Sequence, residues 1–415
     1  MQTHTYPLDL LSPDFVHDPV PMIDRMHAEA PVFFDPRVNG WMVGSYRVTK
    51  ALERDPRISA KRSAYVSALT PPPLQERAAP LVAWYAEWMV MRDGTDHRRL
   101  RRLAAHAFAP ASLRSLEARM VAVVEPILDA AIARGEMELL SELAFPLPRT
   151  IICEMLGIPD EDAGLFTQWA PNINNLLSAS LGTEEIIDAV AAARAQIQEY
   201  FVAAIEERRK APREGEILSG LVQAIEGDDT LTVDEIIDLA VFIMIGAYDT
   251  TTYLISNGLQ LLLRDPEQVA RARGDASSSG GPSGGHIDGW IDETLRCDPP
   301  ITVNTRVVAE GFSHEGHRFE PGQMVYFVSA AINRDPEHFP DPNRFDIERD
   351  NAGDHVSFGF GPHYCIGGPL ARIEARVAFR TLLARTRELR LPEQTLERAP
   401  TMLLRGWKSL RLELT

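Results

Sequence analysis

From Thr232 onward the chain spells out one long helix, and that helix limits every fold open to it. Thr232 stands three residues before Glu235, the spacing of a capping box. The apolar pattern then runs from Val233 to about Leu263 and stops before Asp265-Pro266. At 1.5 Å per residue such a helix is about 45 Å long, enough to cross a whole molecule. Its first half is apolar all round, which marks a helix buried on every side. The longest wholly apolar run, Leu239 to Tyr248, is bounded by Asp238 and Asp249 and falls well short of the roughly 20 residues of a membrane span. The rest of the chain must pack around this helix.

With 415 residues there is enough chain to do so. Lys and Arg number 42 against 59 Asp and Glu, a net charge of −17, which argues against a general nucleic-acid binder. Three cysteines cannot form a disulfide framework, so a reducing, cytoplasmic setting is expected. The start, Met1-Gln2-Thr3-His4-Thr5-Tyr6-Pro7, lacks the pattern of a secretory leader, and no membrane association is expected. There is no internal repeat. The Ser/Gly-rich stretch Gly274 to Gly289 reads as a flexible surface loop, not a domain boundary. Helical spacing recurs over Ser112 to Arg134 and Glu184 to Arg209. Strand-like alternation is confined to Trp41-Met42-Val43, Gln323 to Ser329 and Leu410 to Leu414. The fold class is mostly α with small β-sheets.

The central helix breaks its own pattern at Gly246-Ala247-Tyr248, followed by Asp249, Thr250, Thr251 and Thr252. A buried carboxylate is costly unless paired, and successive β-branched residues are poor helix formers. A Thr250 hydroxyl bonded back to the Gly246 carbonyl would open the ladder and leave an acid and an alcohol facing the gap. Such a pair can deliver protons to a ligand. The alternative is a polar patch against another helix.

A second unusual segment is Phe358-Gly359-Phe360-Gly361-Pro362-His363-Tyr364-Cys365-Ile366-Gly367-Gly368, a tightly shaped loop around a cysteine. A helix follows, with Ile366, Leu370, Ile373 and Val377 on one face and Arg372, Arg376 and Arg380 on another. Cys365 thus precedes a helix start, whose dipole favours a thiolate, and Gly367 lets backbone N–H groups approach the sulfur. Zinc needs about four ligands, and only His363 is near in sequence. A nucleophilic cysteine with His363 as base leaves the glycines unexplained. An inert core cysteine is the common fate of this residue type. The reading that uses every residue is one axial thiolate on a haem iron.

Phe358 to Gly367 resembles the haem-binding signature of cytochrome P450 enzymes, Phe-x-x-Gly-x-His-x-Cys-x-Gly, with every fixed position filled. Other segments agree in order. Glu293-Thr294-Leu295-Arg296 resembles the family's Glu-x-x-Arg pair, and Asn343-Arg344-Phe345 the segment whose arginine completes a structural ion-pair triad: Glu293, Arg296, Arg344. Gly246-Ala247-Tyr248-Asp249-Thr250 resembles the oxygen-activation motif, with Ala247 where glycine is commoner. His97 and Arg101 resemble the family's His-x-x-x-Arg helix.

The resemblance runs from about Asp14 to the C-terminus and implies one domain, residues 1–415, with the cytochrome P450 fold: a long central helix across a thiolate-ligated haem. It implies haem b (iron protoporphyrin IX) as cofactor and Cys365 as iron ligand. Gly246, Ala247, Phe358, Gly359 and Gly367 would shape the haem pocket, and His97, Arg101, Arg306 and His363 would hold the propionates. His355 is a weaker haem neighbour, and Asp249 and Thr250 are the catalytic proton carriers. The pocket would be lined by Trp84, Trp88, Phe242, Ile245, Tyr248, Ile301, Val303 and Asn304. Trp84 and Trp88 would either stack on substrate or pack the core.

The implied activity is a cytoplasmic, monomeric monooxygenase of the soluble bacterial type. It would insert one atom of O2 into an apolar, medium-sized small molecule, as in secondary-metabolite tailoring. No flavin or iron–sulfur domain is expected in the chain, so NAD(P)H electrons would come through a separate ferredoxin and ferredoxin reductase. Two alternatives stay open: an oxidase for coupling or another non-hydroxylating oxidation, and a haem sensor without turnover.

Overall fold

The computed structural model describes residue 9 and residues 12–105, 108, 110–178, 181–223, 231–276, 285–399 and 403–415. Six helices carry the residues of interest: α1 (Gln75–Ala86), α2 (Gly94–Ala105), α3 (Glu184–Lys210), α4 (Val233–Leu262), α5 (His286–Cys297) and α6 (Gly368–Arg385). The chain divides into two compact units. The first comprises Met1–Ile58, Glu117–Leu147 and Asp249–Thr415, and the second Ser59–Leu116 and Pro148–Tyr248.

The first unit holds the sheets. Its largest has five strands in the order Val32–Asp35, Gly40–Val43, Met324–Phe327, Asn304–Val308 and Ile58–Ser59. Gly40–Val43 pairs parallel to Met324–Phe327, while Asn304–Val308 pairs antiparallel to it. Val43, Val325, Phe327, Ile332 and Phe339 form the core beneath. A second sheet puts Arg411–Leu414 between Glu136–Glu138 and Leu389–Arg390. Leu412 and Leu414 are buried and Arg411 and Glu413 exposed, the alternation expected from the sequence. The strand read over Gln323 to Ser329 is shorter, because Ser329 begins a helical turn.

The second unit is helical. On α3, Ile187, Val190, Ile197 and Phe201 are buried, as their spacing predicts. Thr183 caps it, accepting from the Ile186 N–H at 3.3 Å. Arg77 of α1 meets Asp188 of α3 through a forked contact at 2.7 Å.

Helix α4 begins as predicted. The Thr232 hydroxyl accepts from the Glu235 N–H at 3.1 Å, and Glu235 accepts from the Thr232 N–H at 3.0 Å. By length and composition α4 would suit a membrane, but 67% of its most apolar stretch is buried inside the protein. The expected opening at Gly246 to Thr252 does not interrupt it: α4 is continuous over 30 residues. One of the threonines bonds outward instead, Thr252 donating to the Ala144 carbonyl at 2.8 Å.

The loop read over Gly274 to Gly289 is narrower than its composition implied. Gly274 and Asp275 lie in the helix Pro266–Ala276, and Gly289 lies inside α5; residues 277–284 are outside the described residues. Gly289 has a packing reason, since a Cβ there would sit 2.1 Å from the Ile347 carbonyl oxygen.

Candidate active site

Cys365 stands on a loop that the backbone holds firmly. Its N–H donates to the Phe358 carbonyl at 2.7 Å, closing the signature on itself. The Gly359 N–H donates to the Val356 carbonyl at 2.8 Å, and the Tyr364 N–H to the Gly361 carbonyl at 3.2 Å. Gly361 has φ +73°, and a Cβ there would lie 2.6 Å from the Glu53 carbonyl, so no side chain fits. Gly367 is the N-cap of α6, and a Cβ there would stand 3.9 Å from the Cys365 sulfur. Pro369 then occupies the first turn, where a missing N–H costs nothing.

Cations brace the aromatic residues of the loop. Lys50 and Arg54 lie 3.8 and 4.5 Å from the Phe360 ring centre, and Arg372 lies 5.2 Å from that of Phe358. Arg372 also pairs with Asp292 of α5, and one turn on Arg376 meets Asp288 at 2.6 Å. His355 belongs to this network: its Nδ1 accepts from the Ser357 N–H at 3.2 Å, and its Nε2 faces Arg372 and Asp292. Burial pulls its pKa down, with Asp292 opposing. It buttresses the loop from behind.

The three cysteines differ in kind. Burial pushes Cys153 up to about 11, and burial followed by the nearby Glu293 carboxylate pushes Cys297 up to about 11. Both are buried thiols, whereas Cys365 is exposed. Cys297 has a charged neighbour, since the Arg296 guanidinium reaches its sulfur at 2.8 Å.

On α4, Gly246 is exposed although the residues before it are buried, and a Cβ there would meet no atom within 4 Å. Ala247, Asp249 and Thr250 are half-buried, and Thr251 and Thr252 are buried. The exposed turn interrupts burial and not the backbone ladder. His97 is buried on α2 and Arg101, four residues on, is half-buried on the same face. Arg98 and Arg102 are exposed, and Arg99 is half-buried and pairs with Glu235. Arg306 is buried on its strand with Glu53 at 3.3 Å, and His363 is half-buried on the turn Gly361–His363.

The ion-pair triad forms with one substitution. Arg296 and Glu293 are fully buried and meet at 2.7 Å. The third member is Arg349, whose Nε donates to Glu293 at 3.0 Å, and not Arg344. The Arg344 side chain is 68% exposed and faces Asp346; only its carbonyl joins the network, accepting from Arg296 and Arg349 at 3.0 Å. Arg349 prevails because the chain from Pro340 to Arg344 wraps its guanidinium with carbonyls, among them those of Pro340 and Asp341.

Of the two roles weighed for the tryptophans, the contacts show the packing one. Trp84 donates its indole N–H to Asp238 at 2.6 Å and carries Arg194 over its ring at 5.0 Å. Trp88 is fully buried, edge-on to Trp84 and Tyr85. Both indoles therefore pack against protein groups among the described residues. Asp238 is pushed up to about 7, first by burial and then against the help of Trp84. Ile245 is buried, Phe242 is half-buried beside Trp88, and Tyr248 is half-buried, edge-on to Phe166. Ile301, Val303 and Asn304 are half-buried in the first unit.

One residue went unread in the sequence. Glu374 on α6 is buried, with neither oxygen in ordinary hydrogen-bond geometry among the described residues. Burial pushes it up to about 8, and the Thr251 hydroxyl of α4 offsets that only in part. Nothing in one sequence separates it from a solvated helix glutamate.

Residues 165–405 match the family Cytochrome P450. The chain is 35% identical over 412 residues to the cytochrome P450 monooxygenase PikC of Streptomyces venezuelae, covering 97% of this chain and 92% of that protein. Among solved structures it is similar to P450BioI in complex with an acyl carrier protein ligated to hexadec-9Z-enoic acid. That likeness has a TM-score of 0.87 and 29% identity, over 97% of this chain and 100% of the other. It is also similar to a post-tailoring hydroxylase involved in himastatin biosynthesis, at TM-score 0.77 and 32% identity over 93% and 94% of the two chains. The chain belongs to the cytochrome P450 family and is a monooxygenase, an oxidoreductase. Membership implies a haem held by a cysteine thiolate. The residues present fit that group: one exposed cysteine on a braced loop, the other two buried thiols, and a central helix with an uncovered glycine.

Proposed function

We propose that this enzyme inserts one atom of O2 into an apolar, medium-sized small molecule during secondary-metabolite tailoring. The observation that carries the reading is Cys365, the exposed cysteine, fixed by the Phe358 carbonyl at the start of α6. When bound, the haem supplies oxygen activation, with the thiolate as its electron-donating ligand. The chain's own part is to place groups around it. Cys365 would hold the haem iron, near the N-terminal end of α6, where the helix dipole favours an anionic form. His97, Arg101, Arg306 and His363 would hold the propionates, with Glu53 orienting Arg306. Asp249 and Thr250 pass protons toward the ligand. Phe242, Tyr248, Ile301, Val303 and Asn304, the half-buried members of the expected lining, contact the substrate.

The two units serve as one catalytic domain, a reading supported by a family match that extends through both. Electrons reach it singly from NAD(P)H through a ferredoxin and its reductase, and the enzyme works as a cytoplasmic monomer. The buried character of α4 supports a protein outside the membrane. Himastatin tailoring by a structural relative supports the substrate class.

Thr250→Ala tests the proton assignment. Product formed per NAD(P)H should fall by about 10-fold or more, with hydrogen peroxide making up the difference. Unchanged coupling would remove Thr250 from the mechanism.

A further inference from the structure

In the first unit, Asp298 ends α5 and holds two buried arginines. Arg398 Nη2 donates to its Oδ2 at 2.7 Å and Arg405 Nε to its Oδ1 at 2.6 Å. Arg398 Nη1 donates to Asn257 of α4 at 3.1 Å, and Arg405 Nη1 to the Val16 carbonyl at 2.5 Å. The three charged side chains are 9%, 10% and 7% exposed. Two guanidinium charges therefore face one carboxylate in a nearly dry place. Burial pulls the Arg398 guanidinium down to about 10; Asp298 opposes this, while Arg405 and Arg264 push the same way.

Two buried N–H donors here have no acceptor among the described residues: Arg398 Nε and Trp407 Nε1. They belong to neighbouring groups, since the Arg398 guanidinium lies 3.5 Å from the centre of the Trp407 ring. The two residues are also backbone-paired across the hairpin. A buried donor without an acceptor is costly, so two together with surplus positive charge favour an anion. A cavity of about 10 Å³ lies beside the two arginines, lined by Arg398 and Arg405 with Thr302, Leu404, Phe15 and Val16. That is room for one water-sized particle and not for a substrate.

We propose that the Arg398–Arg405–Trp407 cluster binds a small monovalent anion of the halide class. The anion accepts from the Arg398 and Trp407 N–H groups and balances the second guanidinium. It also braces a neighbouring segment. The Thr302 N–H donates to the Leu403 carbonyl at 3.1 Å, and Ile301 bridges Leu404, so the segment that carries Arg405 and Trp407 also holds Ile301 and Thr302. The site is independent of the haem and of the oxygen chemistry.

The test uses the haem-loaded protein in two forms. Crystals grown in gluconate and soaked in bromide should show an anomalous peak within hydrogen-bond range of Arg398 Nε and Trp407 Nε1. In solution at fixed ionic strength, the thermal midpoint should rise as chloride replaces gluconate. Trp407→Phe keeps the ring and removes the N–H, and should lose most of that rise. Bromide found only on the surface, or an equal rise in wild type and Trp407→Phe, overturns the proposal.

Discussion

Arg349 and Arg344 show what a single residue decides here. Both follow α5 in sequence, and both are arginines in a loop rich in Asp and Pro. Only Arg349 brings its charge to the buried Glu293 carboxylate. Removing one partner of a buried ion pair leaves a charge uncompensated, at about 3–5 kcal/mol. Arg349→Ala should therefore lower the denaturant midpoint by an amount of that order. Arg344→Ala should leave it nearly unchanged, because that side chain is mostly in water. Equal effects would mean the triad is mis-assigned. The resemblance implies a triad closed by Arg344, but the choice between Arg344 and Arg349 depends on how the loop carbonyls wrap a guanidinium. Cys365 was legible for the opposite reason: its neighbours are glycines whose φ angles and close approaches the loop demands. Trp84 and Trp88 were half legible, since their four-residue spacing shows a shared face but not what that face meets.

Among the elements, α4 was read almost to the residue, because a capping box and an Asp-Pro stop are local signals. The contact from α4 to α6 was not legible. It depends on Glu374 finding itself buried beside Thr251, a tertiary fact with no local signature. That contact gives α6 a pH response with a definite sign. The Glu374 pKa in the folded protein, about 8, lies above its ordinary value of 4.5. The neutral form is favoured, so its contribution to stability is complete below about pH 4.5 and is lost as pH rises through about 8. Glu374→Gln, uncharged at every pH, should flatten the fall in unfolding free energy between pH 6 and pH 9, a difference on the order of a few kcal/mol. A variant with the wild-type slope would show that Glu374 is ionised throughout.

For the whole molecule, the central claim is that a haem bound by the Cys365 thiolate gives this chain its activity. The fold class followed from one long buried helix and a few short alternating segments, and the likeness to P450BioI over 97% of the chain agrees with it. The division into two compact units was not legible, because the second interrupts the first in sequence and the boundary Tyr248–Asp249 lies inside an unbroken helix. The most direct measurement is the carbon monoxide difference spectrum of the purified, reduced protein, taken for wild type and Cys365→His. The account predicts a strongly red-shifted Soret band in wild type that moves to the position of histidine-ligated haem in the variant. A wild-type band already at the histidine position, or a red-shifted band that persists without Cys365, would contradict it.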